Sequence, residues 1–398
     1  MIALLTGSAL ASTLSVADYG SVQEAIDASS PGDTVLVGPG TRVGAVRVDK
    51  AITLRGVGGR LDGGGSGTVL TVAAPGAIVE GLEITHSGSS LTPPDSCVYI
   101  ERTAVGAIVR DNELTACTFG VWVNQGEAVE VSGNHVVCPA EGRTADKGNG
   151  VHLFDSSHLI VRRNTVSRCR DGVYVSATED SLIEENEASD LRYGIHYMYS
   201  YRNTVRGNVA RNNHGGIALM QSRELEVTGN VAVGNNLQGI LFRDTQDSHI
   251  EGNRVQGNGE GLFFFSCVGN RIIDNEIVGN QIGARVWAGT EGNVIHGNQF
   301  LGNRQQVLFV SASDQLWGDA EAGNTWSDYM GWDQDGDGRG DIAYRVDALT
   351  SALLFRFPAS VLLLHSPTME LLSWVQARLP LLRVPTIIDE HPQLRGSK

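Results

Sequence analysis

The side chains of His196, Met198 and Met220 carry soft atoms at a spacing that could bind a metal ion. His196 and Met198 are two residues apart, so on a β-strand both project from one face, about 7 Å apart at the backbone. Met198 and Met220 are 22 residues apart in a chain with five methionines. Thioether sulfur together with imidazole nitrogen suits Cu(I) and suits Mg²⁺ or Ca²⁺ poorly. The pattern predicts a transient Cu(I) site, with an apolar interface patch as the alternative, because methionine is common in such patches.

A repeat of about 22 residues runs through the chain and would stack Met198 on Met220. Self-similarity at this period is the signature of a solenoid. A short alternating run of apolar residues follows the glycine of each repeat, which is typical of a β-strand. The asparagine of each repeat is expected at a tight turn, in the left-handed conformation that asparagine tolerates, with its amide stacked on the next. The columns are Asn112, Asn134, Asn164, Asn186, Asn208, Asn230, Asn253, Asn275 and Asn298, and Gly120, Gly150, Gly172, Gly194, Gly216, Gly239, Gly261 and Gly283.

These columns predict an all-β protein, a right-handed parallel β-helix over residues 20–315. A short amphipathic helix from Val22 would cap the open end of its core, as solenoids require. Residues 1–19 are interpreted as a possible remnant of a secretory signal, because they are apolar and carry small residues placed for cleavage. One repeat is 30 residues long, which predicts an insertion between Val137 and Lys147.

The register of the repeat predicts which side chains face solvent. The first and third residues after each column glycine are apolar and should be buried, so the second and fourth should be exposed. His152, His196, Met198 and Met220 occupy these outward positions, and His214 lies in the turn before the strand of Met220. His152 and His214 are therefore further candidate copper ligands.

The outward positions contain no carboxylate, which bears on catalysis. Hydrolysis of glycosides usually requires a pair of Asp or Glu side chains, and related lyase or epimerase chemistry needs an acid and a base. The sequence therefore favours a protein that is not an enzyme. Two alternatives stay open: a metal-free docking scaffold, and a carbohydrate-active β-helix enzyme (a polysaccharide lyase or epimerase) that uses the acids of the turns, which are Asp155, Glu179, Asp180 and Asp244.

Charge and cysteine content restrict the partners and the covalent structure. The net charge of -15 argues against nucleic acid and against an anionic membrane surface. The five cysteines lack the spacing of a zinc site. Cys117 and Cys169 both stand three residues before a column glycine, which predicts buried turn residues and no disulfide framework.

Residues 316–346 form an Asp/Gly-rich segment that resembles a calcium loop. Asp333, Asp335, Asp337 and Asp341 occupy positions 1, 3, 5 and 9 of the pattern, with Gly338 at the sharp turn. Tyr344 stands where the pattern has its last acidic ligand. A partial Ca²⁺ site and a metal-free Asp/Gly turn are both compatible with this segment.

Residues 347–398 are predicted to form an apolar helical tail. Its two apolar stretches are too short to cross a membrane, yet too apolar to leave bare beside an acidic solenoid. We expect the tail to dock on a membrane permease; the alternative is an intramolecular cap packed near Phe300 and Phe309. The candidate docking residues are Leu353, Leu354, Phe355, Phe357, Leu362, Leu363, Leu371, Leu372 and Trp374.

Four segments in order make the chain similar to the NosD family. They are residues 192–200 (Arg-Tyr-Gly-Ile-His-Tyr-Met-Tyr-Ser), residues 216–222 (Gly-Ile-Ala-Leu-Met-Gln-Ser), the turn at 323–338 and the leucine-rich tail around Pro367. The resemblance covers essentially the whole chain. It implies a periplasmic β-helix that is membrane-associated through an ABC transporter. It further implies that the protein works with a copper chaperone lipoprotein to mature the copper centres of nitrous-oxide reductase. The copper ligands themselves remain a prediction from the residues.

Overall fold

The computed structural model describes residues 11–287, 289–310, 313–318, 322–357, 359–360, 366–367, 371, 375 and 384–394. The chain divides into two compact units, a first unit of Met1–Leu182 and a second unit of Ile183–Lys398. Within each unit the chain gives one short strand in turn to each of three parallel sheets, A, B and C. This is the architecture of a parallel β-helix, and the predicted all-β fold is confirmed.

The first unit contains the first strands of all three sheets. Its sheet A contains β1 (Thr13–Ser15), β2 (Thr34–Val37), β5 (Thr53–Gly56), β8 (Ile78–Glu80), β11 (Ile108–Arg110), β14 (Glu130–Ser132) and β17 (Ile160–Arg162). Sheet B contains β3 (Gly40–Val43), β6 (Gly59–Asp62), β9 (Glu83–Thr85), β12 (Glu113–Thr115), β15 (His135–Val137) and β18 (Thr165–Ser167). Sheet C contains β4 (Val46–Val48), β7 (Leu70–Val72), β10 (Ser96–Ile100), β13 (Phe119–Asn124), β16 (Val151–Phe154) and β19 (Asp171–Ser176). The strand β1 pairs with β2, so the fold starts before residue 20.

The predicted N-terminal cap is the helix α1 (Val22–Ala28), preceded by a 3₁₀ turn at Val16–Asp18. Ser21 begins α1 by accepting a hydrogen bond from the backbone of Glu24, as N-cap serines do. Val22, Ala25 and Ile26 are buried and cover the end of the core. The predicted insertion follows β15 and contains a second 3₁₀ turn, Thr144–Asp146.

The second unit repeats the same three-sheet arrangement. Its sheet A contains β20 (Leu182–Glu184, at the division), β23 (Thr204–Arg206), β26 (Glu226–Thr228), β29 (His249–Glu251), β32 (Arg271–Ile273) and β35 (Val294–His296). Sheet B contains β21 (Glu187–Ser189), β24 (Val209–Arg211), β27 (Val231–Val233), β30 (Arg254–Gln256), β33 (Glu276–Val278), β36 (Gln299–Leu301) and β39 (Thr325–Trp326). Sheet C contains β22 (Tyr193–Met198), β25 (Gly215–Met220), β28 (Gln238–Arg243), β31 (Glu260–Phe265), β34 (Ile282–Val286) and β37 (Gln305–Phe309).

Stacked asparagines tie successive coils together at the turn between sheets A and B. In the second unit each amide nitrogen donates to the side-chain oxygen of the next asparagine, as Asn208 donates to Asn230 at 3.0 Å. The predicted amide ladder is therefore confirmed. The predicted left-handed conformation of the asparagines is wrong, because the residue before each one adopts it, as Asp274 and Gly297 do. The asparagine itself is buried with its amide along the ladder.

Two disulfides lie in the first unit, Cys97–Cys117 and Cys138–Cys169. The expectation of no disulfides is wrong, because the partners are 20 and 31 residues apart and so meet from different coils. The second bridge ties the insertion to the following coil. Cys267 is the free cysteine of the described residues, and burial raises the pKa of its thiol to about 12. Such a thiol is unreactive at neutral pH.

The second unit ends in a small sheet and a helix. The sheet contains β38 (Gln315–Trp317), β41 (Thr386–Asp389) and β40 (Tyr344–Asp347), with β40 and β41 antiparallel. The helix α2 (Ala348–Arg356) follows β40 directly and is capped by Asp347. The segment predicted as a helical tail thus returns to the fold as β41. None of the helices among the described residues combines the length and the apolar character that a membrane span needs.

A buried carboxylate terminates the asparagine ladder at this end. Asp389 accepts hydrogen bonds from the backbone and side chain of Asn324, at 2.8 and 3.1 Å, and from Trp326 Nε1 at 2.9 Å. Asn324 in turn accepts from Asn298. Burial raises the pKa of Asp389 above its ordinary value, against the lowering effect of these donors.

Candidate functional site

The two methionines of the predicted copper site lie on adjacent coils of the second unit. Strands β22 and β25 are parallel neighbours in sheet C, and Met198 is paired directly with Met220. Neighbouring strands are about 4.8 Å apart, so the two thioethers can reach one ion. Both side chains are half-buried. The predicted stacking of the two residues is confirmed.

His196 is held on the same strand by its neighbours. Ile195 and Tyr197, on either side of it, are buried in the core, so alternation turns His196 to the outer face. Its ring centroid lies 4.9 Å from that of Tyr193, and Arg192 contacts its Nδ1 at 3.2 Å. The prediction that His196 is exposed is wrong, since only 6% of the residue is accessible. The periodicity identifies the face of the strand, and the packing of side chains along that face decides exposure.

The contact with Arg192 determines which nitrogen of His196 could bind a metal. A guanidinium only donates hydrogen bonds, so Nδ1 of the neutral ring is an acceptor and Nε2 carries the proton. Ligation through Nε2 therefore requires the proton to move to Nδ1, with loss of the Arg192 hydrogen bond. Arg192 is a residue of this site that the spacing of soft ligands did not indicate.

The outward positions of neighbouring coils are also partly covered. Ala218 is paired with His196 and is buried, and Leu241 is paired with Ala218 and is buried as well. The expected exposure is therefore wrong for these positions too. Arg243 is paired with Met220, and its guanidinium lies 5.7 Å from the ring centroid of Phe265. A cation thus borders the methionine pair on the side of β28.

His214 lies apart from the methionine pair. It is exposed in the turn before β25, six residues from Met220. An extended strand rises about 3.3 Å per residue, which separates the two positions by about 20 Å. His214 is therefore too far along the strand to share an ion with Met220.

His152 belongs to an aromatic cluster of the first unit. Its ring stacks on Trp122 with centroids 3.7 Å apart and lies 4.7 Å from Tyr174. Asn149 Nδ2 donates to Nδ1 of His152 at 3.0 Å. The residue is buried, contrary to the predicted exposure, and burial lowers the pKa of its imidazole to about 3. The ring is neutral and packed at physiological pH.

Two of the acidic residues in the turns, Asp155 and Asp244, contact neighbouring polar side chains. Asp155 accepts a hydrogen bond from Gln125 at 2.8 Å. Asp244 lies 3.9 Å from the guanidinium of Arg243, the neighbouring residue. These contacts hold both carboxylates in surface pairs of the turns.

The acidic segment brings three of its four predicted ligands together. The carboxylates of Asp333, Asp335 and Asp337 offer oxygen atoms within 4.8 Å of one another. Asp341 instead accepts a hydrogen bond from the backbone of Gln334 at 2.6 Å. Backbone donors, that of Gly338 first, lower the pKa of Asp333, so this carboxylate is ionised at neutral pH.

The tail begins as a cap on sheet C. Ser351 Oγ accepts from the backbone of Phe309 at 2.8 Å and donates to Val307 O at 3.2 Å, which satisfies the edge strand β37. Leu353 and Leu354 are half-buried, whereas Phe355, Phe357 and Leu371 are exposed. The other candidate docking residues, Leu362, Leu363, Leu372 and Trp374, lie outside the described residues.

Arg285 of sheet C contacts helix α2 through the ring of Phe355. The guanidinium of Arg285 lies 5.9 Å from the ring centroid of Phe355 and 4.6 Å from that of Trp287. Its charge is balanced by Glu260 at 2.6 Å. The helix α2 is therefore anchored on the β-helix while the ring of Phe355 remains accessible.

The chain is similar in sequence to known proteins over most of its length. The family described as "Periplasmic copper-binding protein (NosD)" matches residues 131–331. The chain is 40% identical to a "Probable ABC transporter binding protein NosD" of Pseudomonas aeruginosa, over 89% of this chain and 87% of that protein. It is 37% identical to the protein of the same description from Stutzerimonas stutzeri, over 83% of this chain and 79% of that one.

Solved structures share the fold at low identity. The A-module of the mannuronan C-5 epimerase AlgE6 of Azotobacter vinelandii superposes with a TM-score of 0.53 and 16% identity, covering 75% of this chain and 96% of its own. PfbA, a surface adhesin of Streptococcus pneumoniae, gives 0.59 and 11%, covering 78% and 93%. An enzyme and an adhesin on one architecture show that these likenesses concern the fold alone. Sequence identity over most of its length shows that the chain belongs to the NosD family.

Proposed function

We propose that this chain is a periplasmic accessory protein that handles copper, couples to an ABC transporter and serves the assembly of the copper centres of nitrous-oxide reductase. The observation that carries the proposal is the pairing of Met198 with Met220 on adjacent strands of a protein whose family is described as copper-binding. Copper is here the cargo, held transiently as Cu(I), and the protein performs no catalysis. The two disulfides suit an oxidising compartment such as the periplasm.

The ligand set consists of Met198, Met220 and His196. Two thioethers from neighbouring strands and one imidazole from the same face form a soft donor set that favours Cu(I). His152 and His214 are left out, because the first is packed among aromatic rings and the second lies at the far end of β25. Weak thioether ligands and the competing Arg192 contact favour release, which a carrier needs.

The transporter would bind the exposed apolar side chains of the tail. Both relatives carry the description "Probable ABC transporter binding protein NosD". Phe355, Phe357 and Leu371 are the described side chains that offer such a surface. A copper chaperone lipoprotein would supply the ion, and nitrous-oxide reductase would receive it. The protein would be membrane-associated through the transporter.

Calcium is a further candidate ligand of the acidic segment. Three carboxylates converge there, yet an acidic residue at the last position of the pattern is missing. We expect weak binding, with a dissociation constant of about 10⁻⁴–10⁻³ M as in extracellular modules. Titration calorimetry of Ca²⁺ into the parent and into Asp333→Asn tests this binding. Identical heats in both proteins would show that the acidic segment is not a Ca²⁺ site.

Cu(I) titration against a chromogenic chelator under reducing conditions tests the copper function. The double variant Met198→Leu/Met220→Leu keeps the apolar volume and removes both sulfur atoms, so we expect its Cu(I) affinity to fall at least about tenfold. Met330→Leu, which alters an exposed methionine elsewhere in the second unit, is the matched control. Equal affinity of the double variant and the parent would refute the site.

Two alternatives have their own outcomes in the same assays. A parent chain that binds no Cu(I) but binds the transporter would be a metal-free docking scaffold. Turnover of an acidic polysaccharide would show instead that the chain is a carbohydrate-active enzyme. The AlgE6 module, which shares the fold, is such an enzyme.

A further inference from the structure

A loop near the end of the second unit exposes an unusual amount of apolar surface. Met330 is 75% accessible, Trp332 is 59% accessible and Ile342 is 43% accessible. Isolated exposed apolar residues are common on proteins, but three large ones on one short loop are typical of a contact surface. We call residues 329–342 the knob loop.

The knob loop is held in one conformation by Tyr329. The Oη atom of Tyr329 lies so close to Gly331 and Gly340 that a Cβ at either position would be 2.0 Å from it. The same hydroxyl donates to Ile342 O at 2.6 Å, and the backbone of Asp341 donates to Trp332 O at 2.9 Å. A surface that is ordered before it meets its partner loses less conformational entropy on binding.

Acidic residues stand next to the apolar side chains in the knob loop. Asp333, Asp335 and Asp337 follow Trp332 at alternate positions, and their carboxylate oxygens converge. Arg339 lies 3.8 Å from Asp337, and the loop as a whole stays negatively charged. Tryptophan and methionine are enriched at protein interfaces, and complementary charge at the rim selects the partner and speeds its encounter. The knob loop therefore fits an apolar pocket whose rim carries Lys or Arg.

The knob loop and the tail leave the β-helix at the same place. Strand β40 (Tyr344–Asp347) joins the end of the knob loop to helix α2 with its exposed Phe355. The loop is fixed to the last described residues, because Gly340 N donates to Pro392 O at 2.8 Å and Leu394 N donates to Gly338 O at 3.1 Å. One partner that binds the tail would therefore lie beside the knob loop as well.

We propose that the knob loop is a second docking element for the membrane transporter, and that it enters an apolar pocket with a basic rim on the outer face of the permease. This inference rests on the transporter clause of the proposed function. It adds a polar, salt-sensitive contact to the apolar contact of the tail. The charge of the partner surface follows from the three aspartates.

Binding of the full-length chain to the permease–ATPase complex in nanodiscs tests the inference, measured by biolayer interferometry in EDTA at several salt concentrations. For Met330→Ser/Trp332→Ser we expect binding about 10- to 30-fold weaker, as for loss of an interface hot spot. For Asp333→Asn/Asp335→Asn/Asp337→Asn we expect weaker binding with a flatter salt dependence. Val43→Ser, at an equally exposed valine of the first unit, is the control and should bind as the parent does. Unchanged melting temperatures establish that the variants are folded.

The outcomes separate this inference from the proposed function. A parent that does not bind the transporter refutes the transporter clause and the inference together. A parent that binds, is weakened by Phe355→Ser/Phe357→Ser and is unaffected by both knob-loop variants refutes the inference alone. Equal binding of the parent to empty nanodiscs would show that the chain binds lipid and not the permease, and would overturn the proposal.

Discussion

Among single residues, His152 and His196 have the same position in the repeat but different surroundings in the structure. His152 and His196 occupy the same position after a column glycine, and both are buried on the outer face of sheet C. His152 is packed between aromatic rings, whereas His196 stands beside an arginine and two positions from a thioether. The periodicity identified the face for both residues. It could not reveal their burial, because burial depends on the size and packing of neighbours such as Trp122 and Tyr193, which the period does not specify.

The lowered pKa of His152 predicts a pH dependence of stability. A histidine whose folded pKa is near 3 stabilises the fold fully above its unfolded pKa of about 6.5, and this stability is lost as the pH falls towards 3. From about pH 7.5 to about pH 5 the loss is about 2 kcal/mol. We expect the melting temperature of His152→Phe to depend less on pH over this range than that of the parent. His158→Gln, at an exposed histidine of the same unit, is the control and should retain the parent's dependence.

Among the structural elements, the asparagine ladder joins successive coils by hydrogen bonds, and Asp389 ends it. The ladder was predictable, since its members recur at a fixed period and their amides can pair only with the next coil. The acceptor that ends the ladder, Asp389, was not predictable because it lies on a strand that follows the tail and belongs to no repeat. The same holds for Cys97 and Cys138, whose positions within a coil do not show which cysteine lies above them.

Substitution of Asp389 tests the termination of the ladder. Asp389→Ala removes the acceptor of three buried hydrogen bonds from Asn324 and Trp326, so we expect a loss of about 3 kcal/mol or more. Asp389→Asn keeps an acceptor oxygen for these donors and removes the buried charge, so its stability should lie within about 1 kcal/mol of the parent. Thermal unfolding near neutral pH measures both. Equal destabilisation by the two substitutions would show that the charge itself holds the end of the β-helix.

Asp389 also has a pH signature of the opposite sign to that of His152. Its raised pKa means that its contribution to stability is fully present below its ordinary pKa and is lost as the pH rises through the raised value. Asp389→Asn should abolish this loss. A parent and a variant with the same pH profile in the acidic range would contradict the assigned direction.

At the scale of the whole molecule, the tail is an excursion between two paired strands. Strand β40 precedes it and β41 follows it, and these two strands are antiparallel neighbours. The sequence predicted its apolar character and its first helix, but the return strand Thr386–Asp389 is too short to be recognised without its partners. Removal of everything after Ala348 would therefore also remove the end of the asparagine ladder.

Replacement of residues 357–384 by a flexible Gly/Ser linker is the sharper test of the tail. Strands β40 and β41 remain, so we expect the melting temperature to change by only a few degrees. Transporter binding should be strongly weakened, because the candidate docking residues from Phe357 to Trp374 are removed, whereas Phe355 and the knob loop remain. A large drop in melting temperature with transporter binding retained would show that the excursion is a cap.

X-ray absorption spectroscopy of the chain loaded with one equivalent of Cu(I) is the decisive test of copper binding by Met198, Met220 and His196, since it reports the atoms bound to copper. We expect scattering from sulfur in the parent, from the thioethers of Met198 and Met220, together with a nitrogen contribution from His196. In Met198→Leu/Met220→Leu the sulfur scattering should disappear, while Met330→Leu should retain it. A parent spectrum with nitrogen and oxygen scattering alone, or a double variant with undiminished sulfur scattering, would contradict copper handling at this site.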